Sequence, residues 1–332
     1  MPTILAIESS CDDTSCAIIK EGKILSNLIA SQAVHSQWGG VVPELASRAH
    51  HQNIVPVVDS ALKEACIDKS AIDAVAFTRG PGLLGSLLVG TSFAKAFALA
   101  NNIPLIEVNH MMAHVLAHFI DEPAPSFPFL CLTVSGGHTQ IVLVKDYLEM
   151  EVIGSTKDDA AGEAFDKSAK LLGLPYPGGP LIDKYAQSGQ PCFTFPKSKV
   201  GAYDFSFSGL KTAIMNFINN AKQKDAGFVD REMNNICASI QNIIIQTLLD
   251  KLCKAAKDLE INHIAIAGGV SANSGLRQAI KEYGEKYAWK TYIPKFEYCT
   301  DNAAMIAITA HYKFLKGAFS SQSVSPQARM KI

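Results

Sequence analysis

Residues 3–10 read TILAIESS and run through CDDT (11–14) into SCAIIKEGKILSNLIA (15–30). The same arrangement comes back as FPFLCLTV (127–134), SGGH (135–138) and TQIVLVKDYLEMEVIGS (139–155). In both copies an apolar strand ends in small hydroxyl or glycine residues, and a second β-rich strand follows within about five residues. That is the pattern of a hairpin whose loop can lie close to a ligand. The chain reads as a duplication.

Helical stretches separate the copies. VVPELASRAHHQNIVPVVDSALKEACI (41–67), GSLLVGTSFAKAFALANN (85–102) and DREMNNICASIQNIIIQTLLDKLCKAAKDLEI (230–261) carry apolar residues at spacings of three and four, the helical period. Two short apolar strands, DAVAFTRGPG (73–82) and HIAIAGGVSAN (263–273), end in glycine-rich turns that run into helices. Such turns offer backbone N–H groups to an anion. The expected fold is α/β, with two lobes that each hold a mixed sheet and turn their glycine loops to a shared cleft. We place the lobes at 1–118 with about 310–325, and at 119–309, with an inserted loop region or short hairpin at about 187–212.

Composition narrows the function. A chain of 332 residues suggests about two domains, and 48% hydrophobic with 18% charged residues describes a globular protein. The net charge of -1 gives no general attraction to nucleic acid, so an RNA partner would need a local basic surface or a basic helper. Eight cysteines without a C-x-x-C pair read as reduced thiols of a cytoplasmic protein. No basic segment precedes the first apolar run, and Lys95 interrupts the best candidate for a membrane span.

VNHMMAHVLAHF (108–119) places His110, His114 and His118 four apart, which stacks them on one helical face. Two histidines at this spacing are half of the zinc-protease signature, but Met111 stands where that motif needs its glutamate. A metal site and a helix with packed core histidines are both open at this point.

The runs IESSCDDTS, GGVVPELASRAH, RGPGLLGSLLVG, NHMMAH, TVSGGHTQI, GEAFDKSAKLLGLPYPGGP, FSFSGLKTA, AGGVSANSGLR and CTDNAAMIA, spread over about 1–325, together resemble the TsaD family (older name Gcp), the tRNA adenosine threonylcarbamoyltransferases. The resemblance implies a duplicated, RNase H-like fold of the actin, Hsp70 and sugar-kinase type. It implies transfer of the threonylcarbamoyl group of threonylcarbamoyl-AMP to N6 of adenosine 37 in tRNAs that read codons beginning with A. It also implies one divalent metal, iron (Fe2+) or zinc, held by His110, His114 and Asp301, with His118 structural. Thr300 reads as an N-cap that puts Asp301 in the first turn of the last helix; unaided, Asp301 reads as a helix-start carboxylate stabilised by the dipole, and the two histidines with the resemblance make it a ligand. Substrate contacts are implied at Val134, Ser135, Gly136, Gly137, His138, Asp166, Gly179, Asp183 and Asn273, where surface caps are the plain alternative for the aspartates. The implied partners are tRNA, a TsaB-like paralogue and a TsaE-like ATPase.

The adenine N6 amine is a poor nucleophile, because its lone pair is delocalised into the ring. The reaction therefore asks for an activated acyl donor, a Lewis acid and a base for the N6 proton. Asp12 is the candidate base, with a turn-forming aspartate as the alternative. Lys197, Lys199, Lys211, Arg48, His50, His51 and Arg79 are candidates for the tRNA surface. A metalloprotease lacks its base here. A phosphotransferase of the same fold would favour carboxylate-bound magnesium over two histidines, and a silent partner subunit would not need the metal triad.

Overall fold

All six positions of β1 (Thr3–Glu8) are buried, and the strand is flanked on both edges. The antiparallel side holds β2 (Thr14–Lys20) and β3 (Lys23–Ala30); the parallel side holds β4 (Ala74–Gly80) and β5 (Leu105–Asn109). Strand order is β3-β2-β1-β4-β5. The second sheet repeats it: β6 (Phe129–Val134) lies between antiparallel β7 (Thr139–Asp146), followed by β8 (Glu149–Ser155), and parallel β9 (His263–Ala267), followed by β10 (Lys290–Tyr292). The duplication expected from the two hairpins is thus a duplication of whole sheets.

The structure is a computed structural model describing residues 2–32, 40–198 and 200–332. Two compact units divide it: Met1–Ala124 with Asp146–Met150 and Pro294–Ile332, and Pro125–Lys145 with Glu151–Ile293. In the first unit, residues alternate between the two faces of the sheet, as the strand period of two requires. Leu5, Ile7, Val75 and Phe77 pack on α1 (Pro43–Glu64) and α2 (Leu84–Asn101). Ile4, Ala6, Ala76 and Val108 pack instead on α3 (His110–Leu116) and on the final helix, Ala303–Leu315. The second unit surrounds its sheet with α4 (Ala161–Leu171), α5 (Gly178–Ala186), α6 (Ser208–Lys224), α7 (Phe228–Arg231), α8 (Met233–Asp258) and α9 (Ser274–Tyr287), and the final helix is α10.

Two sequence expectations need correction. The lobe boundary near 310 cuts through α10, yet Ala303, Ala304, Ala307 and Ala310 lie wholly against the first sheet; their small side chains let the helix approach as one piece, so Asp301 belongs to the first unit. The helix is capped by Asn302, not Thr300: extended at φ -155°, Asn302 accepts the Met305 N–H. Asp301 therefore precedes the helix rather than sitting in its first turn. Of the two alternatives for 187–212, the described residues take the loop: they are irregular up to α6 and pinned by Phe195, Phe205 and Phe207, all buried in the second core. Among the described residues, α2 is long and apolar enough to cross a membrane, but Gly90, Ala94 and Ala98 are buried along it, and Lys95 donates to the Val324 carbonyl.

One glycine is fixed by geometry. Gly268, at φ +85° and ψ 167°, ends β9, and a Cβ there would lie 2.6 Å from the Val134 carbonyl oxygen. That backbone region is essentially reserved for glycine and costs other residues about 1–3 kcal/mol. Gly268→Ala should therefore lower unfolding free energy by about 2 kcal/mol or more in a denaturant titration. Gly137→Ala, whose Cβ would meet nothing within 4 Å, should change it by less than about 0.5 kcal/mol. Equal stability of the two variants would contradict this packing.

Candidate functional site

β5 hands directly into α3, and Asn109 caps the junction: its Oδ1 accepts from the N–H groups of Met111 and Met112. The cap fixes the first turn, so His110 and His114 share a face. Their rings lie 4.7 Å apart, centroid to centroid, at 88°. Asp301 arrives from the turn before α10. Its Oδ1 sits 3.3 Å from His110 Nε2 and 3.1 Å from His114 Nε2. These ligand atoms all lie within 4.8 Å of one another, with both histidines buried and Asp301 partly so. His118 falls beyond the end of α3 in a tighter 3-10 turn, Ala117–Phe119, and the change of period takes it out of this cluster.

A residue that sequence reading passed over completes the cluster. Glu8, at the end of β1, is 0% exposed. Its Oε1 accepts from the Ser10 N–H at 2.5 Å, and its Oε2 accepts from Thr78 Oγ1 at 2.5 Å and lies 3.0 Å from His110 Nδ1. Burial alone would drive the Glu8 carboxyl up, but His110, with a hydrogen bond from Ser10, holds it below the usual range. Asp301 is likewise lowered: burial opposes its ionisation, and His110 and His114 outweigh burial. His110 moves the other way. Burial would lower it, and the charges of Asp301 and Glu8 raise it well above the ordinary histidine value.

The donor set suits a transition metal. Two imidazole nitrogens and one carboxylate oxygen are the ligands that zinc and ferrous iron accept with coordination positions left open. Ligand atoms around a tetrahedral ion with bonds of about 2.1 Å stand about 3.4 Å apart, close to the 3.1 and 3.3 Å separations here. Without metal the raised His110 imidazolium directs Nδ1–H to Glu8 and Nε2–H to Asp301. A metal ion between the ligands would take the place of the Nε2 proton, while the Nδ1 proton stays directed at Glu8.

The loop after β1 carries Asp12 and Asp13. The Cys11 carbonyl accepts from His50 Nε2 at 3.0 Å and from Ser86 Oγ at 2.9 Å, so α1 and α2 both hold the loop. Asp12 is partly buried here. Burial, and then the Asp12 charge, push the Asp13 carboxyl up to about 6. His50 is therefore not a tRNA contact: it is 0% exposed, and its Nδ1 lies 2.8 Å from Thr14 Oγ1.

The second unit gathers most of the other expected residues around one cavity of about 260 Å³, lined by Gly136, Phe165, Asp166, Gly179, Asp183, Gly269 and Asn273 among others. The four residues 135–138 close the β6–β7 hairpin: the Ser135 N–H donates to the His138 carbonyl, and the His138 N–H to Ser135 Oγ. Gly136 reaches the cavity; Ser135, Gly137 and His138 are not in its lining, and the Val134 side chain is buried in the core. The aspartates are also caps. Asp166 Oδ1 accepts from the N–H groups of Gly178 and Gly179, Asp183 accepts from the Ser274 N–H and Oγ, and Asn273 accepts from the Leu276 N–H. The cap reading of these residues holds, and the turns that they fix line the cavity.

Of the remaining tRNA candidates, Arg48 pairs with Glu44, Lys197 with Asp250 and Arg79 with Glu107, while His51 and Lys211 are exposed. Lys199 lies outside the described residues.

Residues 23–308 match the family model described as tRNA N6-adenosine threonylcarbamoyltransferase. A protein of that name from Christiangramia forsetii is 64% identical over 99% of this chain and 98% of its own. Another, from Cytophaga hutchinsonii, is 58% identical over 99% of this chain and 96% of its own. A solved structure of full-length HypF in a phosphate- and nucleotide-bound form superposes on 96% of this chain and 47% of that one, with a TM-score of 0.65 at 14% identity, a likeness of fold.

The acidity of Asp13 has a testable sign. Its folded-state value is raised from 3.8 to about 6, so the folded protein holds this proton more tightly than the unfolded chain. Ionisation then costs stability progressively as pH rises from 3.8 to about 6, and the whole cost is present above 6. Asp13→Asn, measured in chelator-treated protein at pH 7.5, should gain about 1–2 kcal/mol after allowance for partial solvent screening. The gain should vanish near pH 4. A gain that persists at pH 4 would contradict the assignment.

Proposed function

The chain belongs to the tRNA N6-adenosine threonylcarbamoyltransferase family, and we propose that it carries out the family's transfer with one divalent metal at His110, His114 and Asp301 and with the nucleotide recognised by the pocket of the second unit. The reaction moves the threonylcarbamoyl group of threonylcarbamoyl-AMP to N6 of adenosine 37 in tRNAs reading codons that begin with A. The bond to N6 forms, the carbamoyl–phosphate bond breaks, AMP leaves with that bonding pair, and the N6 proton passes to a base. The observation that carries the metal reading is the convergence of two imidazole Nε2 atoms on one carboxylate oxygen.

The metal, when bound, supplies Lewis acidity toward the carbamoyl oxygen. His110 and His114 orient their Nε2 atoms, Asp301 contributes negative charge, and Glu8 keeps His110 in place. The hairpin turn at Gly136 and the turns at Gly179 and Gly269 admit a flat base and a phosphate backbone, because no side chain stands there. Asp12 and Asp13 are the candidates to take the N6 proton. The acidity of Asp13 suits the role, since a value near 6 approaches the pH at which a base works. Iron and zinc both fit the ligand set.

The proposed partners include a TsaB-like paralogue and a TsaE-like ATPase, and the proposed compartment is the cytoplasm. A groove of about 470 Å³ between α1 and α2, lined by Ile54, Val55, Leu88, Val89 and Phe93, supports docking of a paralogous chain. Val55 and Leu88 stand 61% and 47% exposed there, a patch of the kind that a partner covers.

Nucleoside mass spectrometry of an A-codon tRNA after incubation with threonylcarbamoyl-AMP and the partner proteins reads transfer directly. His110→Ala, His114→Ala and Asp301→Ala should each lose bound metal and transfer, while His118→Ala keeps its metal. Bound metal stabilises the fold by about 2.7 kcal/mol at a hundredfold excess over its dissociation constant. His114→Ala and Asp301→Ala should therefore melt like chelator-treated wild type. His110→Ala should melt lower still, because it leaves Glu8 buried beside no counter-charge. Gly136→Val, which adds a branched side chain where the hairpin lines the pocket, should retain its metal and lose transfer. Full metal occupancy in Asp301→Ala would remove the three-ligand site, and transfer by Gly136→Val would remove the hairpin loop from the substrate site.

A further inference from the structure

Glu8 has no role in the reading above beyond its contact with His110, yet its surroundings are unusually specific. Three donors converge on its two oxygens: the Ser10 N–H at 2.5 Å, Thr78 Oγ1 at 2.5 Å and His110 Nδ1 at 3.0 Å. Each comes from a different segment: the loop after β1, β4 and the start of α3. A carboxylate can only accept, so the group facing it on His110 has to be Nδ1–H. Ser10 Oγ lies 3.2 Å from the same nitrogen and could by itself serve either tautomer. Glu8 removes that freedom.

We propose that Glu8 is a positioning residue for the metal centre: it fixes the proton of His110 on Nδ1, so that the Nε2 lone pair is presented to the ion between His110, His114 and Asp301. Fixing a ligand histidine through its far nitrogen sets both the tautomer and the ring orientation and raises the basicity of the ligating nitrogen. The site is asymmetric in this respect, because His114 Nδ1 is buried with no hydrogen-bond partner among the described residues. Of the two histidines, His110 is the one tuned from behind. The isosteric amide cannot replace the carboxylate. A glutamine has one acceptor oxygen for donors that approach both oxygens of Glu8, and its NH2 would be left against the Ser10 N–H or against His110 Nδ1–H.

This inference rests on the metal reading, and the experiment separates the two. Zn2+ affinity is measured by competition with a chromophoric chelator for wild type, Glu8→Gln and Thr78→Val, with folding of each metal-free protein checked by circular dichroism and melting. Wild type should bind one Zn2+. Glu8→Gln should remain folded and bind about 10–100-fold more weakly. Thr78→Val, which removes one donor from Glu8 Oε2 while leaving the carboxylate, should weaken binding by a smaller factor. Histidine-selective 15N NMR of zinc-loaded wild type should show His110 protonated at Nδ1 and metal-bound at Nε2, a readout independent of variant stability. Zn2+ affinity in Glu8→Gln within twofold of wild type, or ligation through Nδ1 in the spectrum, would overturn the assignment of Glu8. Failure of wild type to bind Zn2+ would overturn the metal reading beneath it.

Discussion

A carboxylate ionised in the core is costly unless its surroundings repay the lost hydration. Glu8 is such a group, and its three donors dictate how the first unit is assembled around it. The Ser10 N–H bends the chain just after β1, Thr78 ties in the neighbouring strand β4, and His110 anchors the start of α3. A helix held at its first residue then carries His114 one turn on, and Asn302 caps α10 so that Asp301 is delivered to both rings. The chemistry proposed for the site is thus a consequence of how one buried charge is satisfied.

Much of this architecture is visible in the amino-acid string, because it is written in local periods. The two hairpins repeat as strand, small-residue loop and strand, and the sheets repeat with them. The fourfold histidine spacing makes His110 and His114 neighbours whatever the rest of the chain does. Asp301 is different. It stands 187 residues from His114, and no local pattern joins them, so only the family resemblance brought it in. Glu8 was passed over because strand patterning treats it as an end residue. The usable signal was a charge adjoining five consecutive apolar or small strand positions, a place where an unpaired glutamate is almost never fully buried.

Other departures have equally concrete causes. CTDN offers Thr300, Asp301 and Asn302 in succession, all of them good cap residues, and the extended backbone of Asn302 decides among them. The segment 187–212 lacks period because its phenylalanines reach the core singly rather than from a regular element. In the pocket, Asp166, Asp183 and Asn273 spend their hydrogen bonds on helix termini. In the proposed recognition of the nucleotide, their part would be to shape the turns that line the pocket.

Anomalous diffraction from crystals loaded with zinc, recorded on both sides of the zinc absorption edge, tests most directly whether His110, His114 and Asp301 hold one metal ion with Glu8 behind His110. The expected result is a single strong peak at about 2.0–2.2 Å from His110 Nε2, His114 Nε2 and an Asp301 oxygen, with Glu8 still on His110 Nδ1. No peak at this position, or a peak bound through His110 Nδ1, would contradict it.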